Sequence, residues 1–491
     1  MSMNTRRIRA ASIFALILFH PLVSFSQDQC RTCHESIEDP RALAFAADIH
    51  ASNGISCADC HGGDRTKEDM EEGMSAGAGF RGVPVGDAIS DVCASCHSDA
   101  SKMVHVYKST LPLDQVEALK ASVHGQQSVS GRSRIAQCTS CHGAHGILPR
   151  SNRKSPVHPA NVPTTCARCH SNAGYMTAYD PSMPVDQYQK YRSSVHGKLN
   201  QRGDSKVAEC ASCHGSHDIL AAKDVRSKVY PINLPATCGS CHADAVYMRG
   251  YGIGTDQLKE YSKSVHGVAL LQKHDIGAPA CNDCHGNHGA VPPGVESISK
   301  VCGSCHALNA DLFSKSPHKK AFDTRGLPEC ETCHGNHEVV RTTDQLLGVG
   351  KEAVCAWCHK DDTKSRGHIV AATMRQLADS LADAEDSAQR LLNDAEQKGM
   401  EVGEARFAAR SIRQARLESR TKVHSFQESQ FRDVVEKGLS AAKDVSAQAE
   451  EAIGEYHFRR WGLLIASFAI TLLAVSLYLL IRRIESRQRA K

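Results

Sequence analysis

Apolar residues follow two different patterns along this 491-residue chain. Over residues 27–362 they show no sustained period, so hydrophobicity assigns no secondary structure there. Residues 363–456 contain no Cys and no Pro, and their apolar positions recur at alternating steps of four and three, which predicts packed helices. Breaks near Gly399 and at 425–429 predict three helices, the third continuing into a membrane span. The recurring positions are Val370, Met374, Leu377, Leu381, Ala384, Ala388, Leu391 and Ala395, then Phe431, Val435, Gly438, Ala442, Val445, Ala449 and Ala452.

Two longer apolar runs lie near the ends of the chain. The first, residues 10–25, follows three arginines and precedes a small-residue site, which predicts a secretory signal peptide. An uncleaved anchor is the alternative, for which this run is short. The second, residues 461–481, carries no charge over 21 positions and is long enough to span a bilayer. Residues 482–491 hold five basic side chains against Glu485, which places them in the cytoplasm by the positive-inside rule.

These runs predict five segments. We expect a signal peptide, a periplasmic cofactor-binding domain, a helical bundle or stalk, a transmembrane helix and a basic cytoplasmic tail. The expected location is the cytoplasmic membrane of a Gram-negative bacterium, with the bulk of the chain in the periplasm. The boundaries are 1–26, 27–362, 363–456, 457–481 and 482–491.

The cysteines fall into a single motif. All 22 belong to C-x-x-C pairs, and a His follows each pair immediately. This spacing is typical of c-type haem attachment, in which the two thiols form thioethers and the adjacent imidazole binds the iron. Zinc ribbons and disulfide frameworks do not require a His after every pair. The eleven sites, predicting eleven haems c, are Cys30/Cys33/His34, Cys57/Cys60/His61, Cys93/Cys96/His97, Cys138/Cys141/His142, Cys166/Cys169/His170, Cys210/Cys213/His214, Cys238/Cys241/His242, Cys281/Cys284/His285, Cys302/Cys305/His306, Cys330/Cys333/His334 and Cys355/Cys358/His359.

The motifs recur within a larger repeat. The phrase S-V-H-G begins at Ser122, Ser194 and Ser264, and each copy precedes a doubled site, C-x-x-C-H-G-x-H, and then a plain C-x-x-C-H site. The step is about 72 residues, and divergent copies begin near His50 and His318. Five repeats of two haems, preceded by the Cys30 site, make a tandem array. About 30 residues per haem are too few for an ordinary core, so the porphyrins themselves are expected to form the interior, with short helices and loops around them. The predicted fold class is mostly α with little regular structure: a tandem multihaem array, then a three-helix bundle and one C-terminal transmembrane helix.

Nine further histidines occupy repeat positions and are predicted second axial ligands. Five lie in the opening phrase and four lie three residues after a motif histidine. In the first repeat Asp64 replaces the expected second histidine, and His105 is predicted to compensate. A distal ligand from a neighbouring repeat would tie adjacent repeats together. The nine are His50, His124, His196, His266 and His318, then His145, His217, His288 and His337.

Other side chains leave alternatives open. His158, His368 and His424 are either ligands or ordinary histidines, whereas His274 and His457 are predicted to face solvent or the membrane interface. A methionine recurs after the plain sites, and packing on a porphyrin is favoured over ligation for it. The bundle is a packing stalk, the donor of His424 to the last haem, or a dimer interface. The methionines are Met103, Met176 and Met248.

Charge narrows the range of partners. The formal charge of +4 falls to about −3 once the signal peptide and the basic tail are removed. Haem propionates make the exported part more acidic still, so nucleic acid is not an expected partner. We expect redox proteins at the membrane and in the periplasm instead.

The C-x-x-C-H sites, the C-H-G-x-H variants and the S-V-H-G phrases of residues 30–359 resemble the doubled-CXXCH multihaem c-type cytochromes. This resemblance implies closely packed bis-histidine haems that act as an electron conduit. Membrane-anchored tetrahaem quinol dehydrogenases carry their anchor at the N-terminus, whereas here it is C-terminal. The sequence therefore favours a membrane-anchored carrier between a quinol-linked donor and a periplasmic acceptor in respiration. The alternative is an oxidoreductase with one open-site haem, at His34 or His359, acting on a small nitrogen or sulfur compound.

Overall fold

The computed structural model describes residues 28–293 and 298–490. Regular structure in these ranges is helical, with an isolated antiparallel bridge between Gln127 and Arg134 and no strand. The predicted mostly α fold class, a multihaem array followed by a helical bundle, is confirmed. The predicted signal peptide lies outside the described residues.

The chain divides into two compact units, and the division falls inside the predicted haem-binding segment. The first unit ends at Lys228 and consists of short helices joined by turns. Its α-helices are Gln29–Ser36, Pro40–Phe45, Ile49–Ser52, Cys57–His61, Met70–Gly73, Asp87–His97, Gln115–Ala121, Cys138–His142, Val162–His170, Ala173–Met176, Gln187–Ser193, Val195–Gln201 and Cys210–His214, with a π-helix at Ser101–Val106 and a 3₁₀ turn at Val123–Gly125.

The second unit begins at Val229 and contains both short helices and the bundle. Its short α-helices are Leu234–His242, Gln257–Lys263, Val265–Gly267, Cys281–His285, Ile298–Gly303, Ala307–Ser314, Pro317–Arg325, Glu331–His334 and Ala356–His359, with a π-helix at Val268–Gln272 and 3₁₀ turns at Asp344–Leu346 and Val423–Ser425. The three bundle helices are Arg366–Gln397, Gly403–Lys422 and Glu428–Arg489.

Doubled and plain sites end their helices differently. After each doubled-site histidine the next residue is Gly with φ between 74° and 86°, a conformation that L side chains rarely adopt. After the plain-site His97 and His170, Ser98 and Ser171 have φ of −106° and −103°. The glycine therefore turns the chain immediately, before the second histidine of the C-H-G-x-H sequence. The five glycines are Gly62, Gly143, Gly215, Gly286 and Gly335.

The bundle buries the apolar positions that the sequence pattern predicts. Leu381, Leu392, Ile412, Phe431 and Val445 are at most 1% exposed and pack in one core. At Gly438 a Cβ atom would lie 2.7 Å from a Leu381 methyl carbon, so the helices approach too closely for any side chain there. Burial of one stripe per helix stabilises three long helices against each other.

The third bundle helix leaves the core and continues as an exposed apolar rod. Its C-terminal part has a mean hydropathy of 2.5 over its most apolar 18 residues, and none of that window is buried. Such a helix is long and apolar enough to cross a membrane. The Thr471 hydroxyl within it donates to the Ser467 carbonyl, and the helix satisfies its own backbone groups.

A half-buried ionic cluster joins the last repeat to the bundle. The Asp344 carboxylate accepts hydrogen bonds from Arg416 at 3.0 Å and from Arg420 at 3.2 Å. Arg416 also donates to Glu385 at 2.7 Å, and Arg375 donates to the Asp344 carbonyl at 3.2 Å. Burial opposes ionisation, but the two guanidinium groups outweigh it and hold the pKa of Asp344 below its ordinary value. These contacts fix the 3₁₀ turn Asp344–Leu346 against the first two bundle helices.

Candidate haem centres

Histidine rings meet in pairs along both compact units. Each pair joins one motif histidine to a histidine from elsewhere in the chain, with ring centroids 6.0 to 6.3 Å apart. In the first unit the pairs are His97 with His50, His61 with His145, His170 with His124 and His142 with His217. In the second unit they are His306 with His266, His285 with His337, His359 with His318 and His334 with His424.

The spacing of these rings fits a six-coordinate haem iron. A bond between a metal and an imidazole nitrogen is about 2 Å long, and the ring centroid lies about 1 Å beyond that nitrogen. Two imidazoles on opposite sides of one iron therefore have centroids about 6 Å apart. Rings in direct stacking contact would be closer, as the 3.8 Å between His318 and Phe426 shows. The residues present thus fit two axial ligands at each of these eight irons.

The pairs follow one register. A plain-site histidine is paired with the opening-phrase histidine of its own repeat, as His170 is with His124. A doubled-site histidine is paired with the second histidine of the next doubled site, as His142 is with His217. A repeat therefore contributes an imidazole to the doubled site of the repeat before it. That these imidazoles are distal haem ligands stays a prediction.

The opening phrase positions its histidine through Ser and Gly. The Ser194 hydroxyl accepts a hydrogen bond from the Gly197 N–H at 2.9 Å and donates to the Tyr191 carbonyl at 2.6 Å. A Cβ atom at Gly197 would lie 1.8 Å from that same carbonyl oxygen. Ser122 and Ser264 form the same contacts, with Leu119 and Tyr261 carbonyls respectively. The serine caps the helix and the glycine permits the close approach, which leaves the histidine between them facing the haem site.

One backbone hydrogen bond repeats beside the paired rings. The N–H of the residue before the opening-phrase histidine donates to the carbonyl two residues after a second doubled-site histidine. It joins Ile49 to Ile147 at 2.8 Å, Val123 to Ile219 at 2.9 Å and Val265 to Val339 at 3.0 Å. Consecutive repeats are therefore linked by backbone bonds as well as by paired imidazoles.

In several of the paired histidines, Nδ1 already has a hydrogen-bond partner. His50 Nδ1 lies 2.9 Å from an Asp48 carboxylate oxygen, His61 Nδ1 lies 3.0 Å from the Gly82 carbonyl, and His285 Nδ1 lies 3.2 Å from the Val291 carbonyl. His424 Nδ1 lies 3.0 Å from the Thr421 carbonyl. An N–H at Nδ1 that donates to such an acceptor leaves Nε2 for the iron and fixes the ring orientation.

Burial favours the neutral form of several paired imidazoles. It lowers the pKa of His124, His142 and His170 below the ordinary value, and it lowers that of His318 to about 4, with a smaller contribution from the charge of His359. The neutral ring is the form that binds a metal.

The first cysteine of a plain site lies beside the first cysteine of the doubled site that follows it. In the first compact unit the Cys93 thiol hydrogen-bonds with Cys138, and Cys166 with Cys210. In the second compact unit Cys238 bonds with Cys281, and Cys302 with Cys330. Doubled and plain sites of one repeat are also close, since Cys141 and Cys166 interact electrostatically. This arrangement would place successive haems beside one another.

The second cysteines of the doubled and plain sites in one repeat also lie near each other. In each such pair, burial raises the pKa of the doubled-site thiol, and the charge of the plain-site thiol contributes to the rise. The four pairs are Cys60 with Cys96, Cys141 with Cys169, Cys284 with Cys305 and Cys333 with Cys358. Both thiols of a motif therefore follow the same repeating arrangement.

The motif cysteines are available for haem attachment. All 22 have free thiols, so no disulfide competes for them. Among the second cysteines, Cys169, Cys305 and Cys358 are exposed, whereas Cys96, Cys213 and Cys241 are half-buried. Thioether formation at all 22 cysteines stays a prediction from the C-x-x-C-H spacing.

His424 reaches its partner from the turn between the second and third bundle helices. The sequence left its role open, with the last haem as its expected site if it is a ligand. The structure instead pairs it with His334 of the preceding site at 6.1 Å, while His359 of the last site is paired with His318. The next residue but one, Phe426, adopts a left-handed φ of 50° and packs on His318, 3.8 Å between centroids. The turn thus supplies a side chain to each of the last two sites.

His34 differs from the paired motif histidines. Its Nδ1 lies 3.1 Å from the Asp39 carboxylate, its side chain is 43% exposed, and no second imidazole contacts it among the described residues. His359, the other expected open site, is paired with His318. His196, His214, His242 and His288 are engaged in contacts as well.

The remaining histidines stand outside the pairs. His105, predicted to compensate for Asp64, lies exposed in the π-helix Ser101–Val106 and contacts no imidazole in the described part of the chain. His158 is buried, but its Nδ1 accepts the Ala160 N–H at 3.2 Å, which puts the ring proton on Nε2. His368 Nδ1 bonds to the His359 carbonyl at 2.8 Å, and His274 and His457 are exposed. Met103, Met176 and Met248 are buried, which agrees with packing.

Sequence reasoning missed the structural role of Ser and Gly in S-V-H-G and of the glycine in C-H-G. Their signal was present, because both recur with the histidines. The sequence could not show that the serine hydroxyl bonds a backbone carbonyl three residues earlier, nor that the glycine φ is positive.

Part of the chain is similar to known cytochromes. Residues 49–171, which hold four of the motifs, match the family model described as cytochrome c3. The C-type polyheme cytochrome OmcC of Geobacter sulfurreducens is 22% identical over 212 residues, 38% of this chain. The match spans 25% of the length of that relative. No solved structure gives a significant match. The imidazole pairs and these similarities together support a multihaem c-type cytochrome with covalently bound haem.

Proposed function

We propose that this protein carries electrons along eleven covalently attached haems in respiration. Its donor is a quinol-linked protein of the cytoplasmic membrane, and its acceptor is a periplasmic protein. The exposed apolar helix holds the array at the membrane, the tail from Arg482 lies in the cytoplasm, and the bulk of the chain lies in the periplasm of a Gram-negative bacterium. The bundle serves as the stalk and is also a candidate dimer interface.

The observation that carries this proposal is the set of eight imidazole pairs. A bound haem supplies one-electron transfer, and an iron with two imidazole ligands has no position left for a substrate. The protein's own contribution is to hold the two rings, fix their orientation through Nδ1 and keep successive attachment sites adjacent. An electron conduit requires these three properties.

Intact mass and paramagnetic resonance test the proposal. The full chain, produced in cells competent for cytochrome maturation and purified in detergent, should weigh as the processed polypeptide plus eleven haems. Its oxidised spectrum should be dominated by low-spin ferric signals. Protein from cells lacking cytochrome maturation is the control and should carry no haem. A haem count far from eleven, or a mostly high-spin spectrum, would contradict the assignment.

A second candidate function is favoured by one observation. His34 has a carboxylate partner but no imidazole partner among the described residues. An oxidoreductase with one open-site haem, acting on a small nitrogen or sulfur compound, would use this site and receive its electrons through the rest of the array.

A further inference from the structure

We propose that the haem held by Cys30, Cys33 and His34 keeps its second axial position for a small neutral molecule from solution, and that Asp64 lines this position. The inference rests on the proposed haem attachment and deepens the second candidate function. It names the site, the residue opposite His34 and the class of ligand.

The order in which the histidines pair predicts Asp64 as the residue opposite His34. A doubled-site histidine is paired with the second histidine of the following doubled site, so His61 is paired with His145 and His142 with His217. The same register, moved one step towards the N-terminus, pairs His34 with the second position of the Cys57 doubled site. That position is Asp64, three residues after His61. A carboxylate therefore stands where the other sites have an imidazole.

Local contacts agree with this placement. The backbone N–H of Gln29, next to Cys30, donates to the carbonyl of Arg65 at 2.9 Å, which brings the Asp64 turn to the Cys30 helix. Asp64 is close enough to contribute to raising the pKa of the Cys30 thiol, after burial and Asp28. Its Oδ1 is held by the Thr66 N–H at 2.9 Å and the Thr66 hydroxyl at 2.6 Å. The carboxylate is thus fixed by its own turn.

A count of ligands reaches the same site independently. The nine repeat-position histidines and His424 supply ten second imidazoles for eleven motif histidines, which leaves one iron without a second imidazole. The Cys30 site stands in front of the repeat, so His34 is the motif histidine to which the repeat supplies no partner.

The Asp64 carboxylate selects the ligand by charge. Asp28 and Asp64 act electrostatically on the Cys30 thiol, and Asp39 lies 3.1 Å from His34. Arg31 is engaged by Glu35 at 2.6 Å, and Arg41 and Lys67 interact with Asp39 and Asp64 respectively. A carboxylate opposite the iron, rather than the net charge around it, disfavours anions such as nitrite. The Asp64 carboxylate can instead accept a hydrogen bond from a bound N–H, O–H or S–H group. The expected ligands are neutral lone-pair donors of the hydroxylamine, ammonia, water or hydrogen sulfide class.

The sharpest test places a histidine at position 64, where the pairing order calls for one. Carbon monoxide titrated into the dithionite-reduced full chain should bind once per chain, and the oxidised protein should show one high-spin ferric haem. Asp64→His should supply the missing imidazole, abolish carbon monoxide binding and convert the high-spin signal to low spin. Glu68→His, an exposed position four residues further along the same loop, is the matched control and should bind carbon monoxide as the wild type does. Absence of binding in the wild type, more than one site per chain, or undiminished binding in Asp64→His would each overturn the proposal.

A second readout covers the case in which Asp64→His does not fold. Only a five-coordinate ferrous haem shows an iron–histidine stretching band, and an Asp partner at Nδ1 raises that frequency. Asp39→Asn, which preserves the helix cap on Arg41 N–H, should lower the frequency of the band. Asp48→Asn removes the same kind of partner from the paired His50 and should leave the band in place. A band that is absent, or that Asp39→Asn does not move, overturns the assignment to His34. An intact mass showing eleven haems separates this failure from failure of the proposed function.

Discussion

Glycine in the opening phrase is required by the carbonyl that faces it. At Gly125, Gly197 and Gly267 a Cβ atom would lie 1.8 to 2.0 Å from a backbone oxygen of the preceding helix. No rotamer change relieves such a contact, because both atoms belong to the main chain or are fixed to it. The neighbouring histidine is therefore held at the haem site by a close backbone crossing.

Gly197→Ala should destabilise the first compact unit by about 2 kcal/mol or more, since the crossing must open to admit one methyl group. The measurement is the thermal unfolding midpoint of the haem-loaded protein, followed by far-ultraviolet circular dichroism. Gly77→Ala is the control: at this exposed glycine of the same unit a Cβ atom would have no neighbouring atom closer than 3.8 Å, so the midpoint should change little. Equal midpoints for the two variants would contradict the role of the crossing.

The turn between the second and third bundle helices is the element that completes the array. Its 3₁₀ segment Val423–Ser425 places His424 opposite His334, while Phe426 packs on His318. A bundle that only raised the array above the membrane would not need either contact. The bundle thus contributes a histidine to the imidazole pairs of the second compact unit.

His424→Ala should open the iron at His334 and raise carbon monoxide binding by one per chain relative to the wild type. His105→Ala is the comparison, because sequence reasoning predicts His105 as a ligand whereas the structure leaves its ring exposed. We expect no change for this second variant. An unchanged count for His424→Ala, or an increase for His105→Ala, would reverse the assignment of the two residues.

The sequence predicted motifs and helices better than it predicted which histidines lie opposite each other. The eleven motifs and the nine repeat histidines could be found because each depends on local spacing, and the bundle because its apolar period is regular. The partner of each histidine depends on how repeats pack, and one dimension carries no such information. His424 illustrates the difference: it lies in no repeat, and only the fold of the bundle brings it to His334. Asp64 is the reverse case. The repeat alone showed that a carboxylate replaces a histidine there, and the structure showed that its turn is bonded to the Cys30 helix.

At the scale of the whole molecule, the Asp344 cluster connects the last repeat to the bundle. Asp344→Asn should destabilise the second compact unit by about 1 to 2 kcal/mol at neutral pH, between the values for exposed and buried ion pairs. Because the pKa of Asp344 is lowered in the folded protein, its contribution is full above the unfolded value of about 3.9 and is lost as pH falls through the folded value.

Thermal unfolding at a series of pH values measures this contribution. The midpoints of the wild type and Asp344→Asn should differ at neutral pH and converge as the pH falls below about 4. Asp379→Asn removes a partly exposed pair with Arg375 and should have a small effect throughout. A difference between the wild type and Asp344→Asn that grows on acidification would contradict the sign of the pKa change.

The exposed end of the third bundle helix is the candidate membrane anchor of the whole molecule. Residues from Phe458 onward contribute nothing to the bundle core, which ends with Ala449, Ala452 and Ile453. A chain that ends after Tyr456 should therefore keep its haem spectrum and its unfolding midpoint but move from the membrane fraction to the soluble fraction. A chain that ends after Ile481 keeps the apolar segment, loses only the basic tail, and should remain with the membrane through salt washing. Haem-stained fractions of the two truncated proteins measure this directly. If the shorter chain stayed in the membrane fraction, contacts of the haem array or the bundle would have to hold it there, and the apolar helix would need another role.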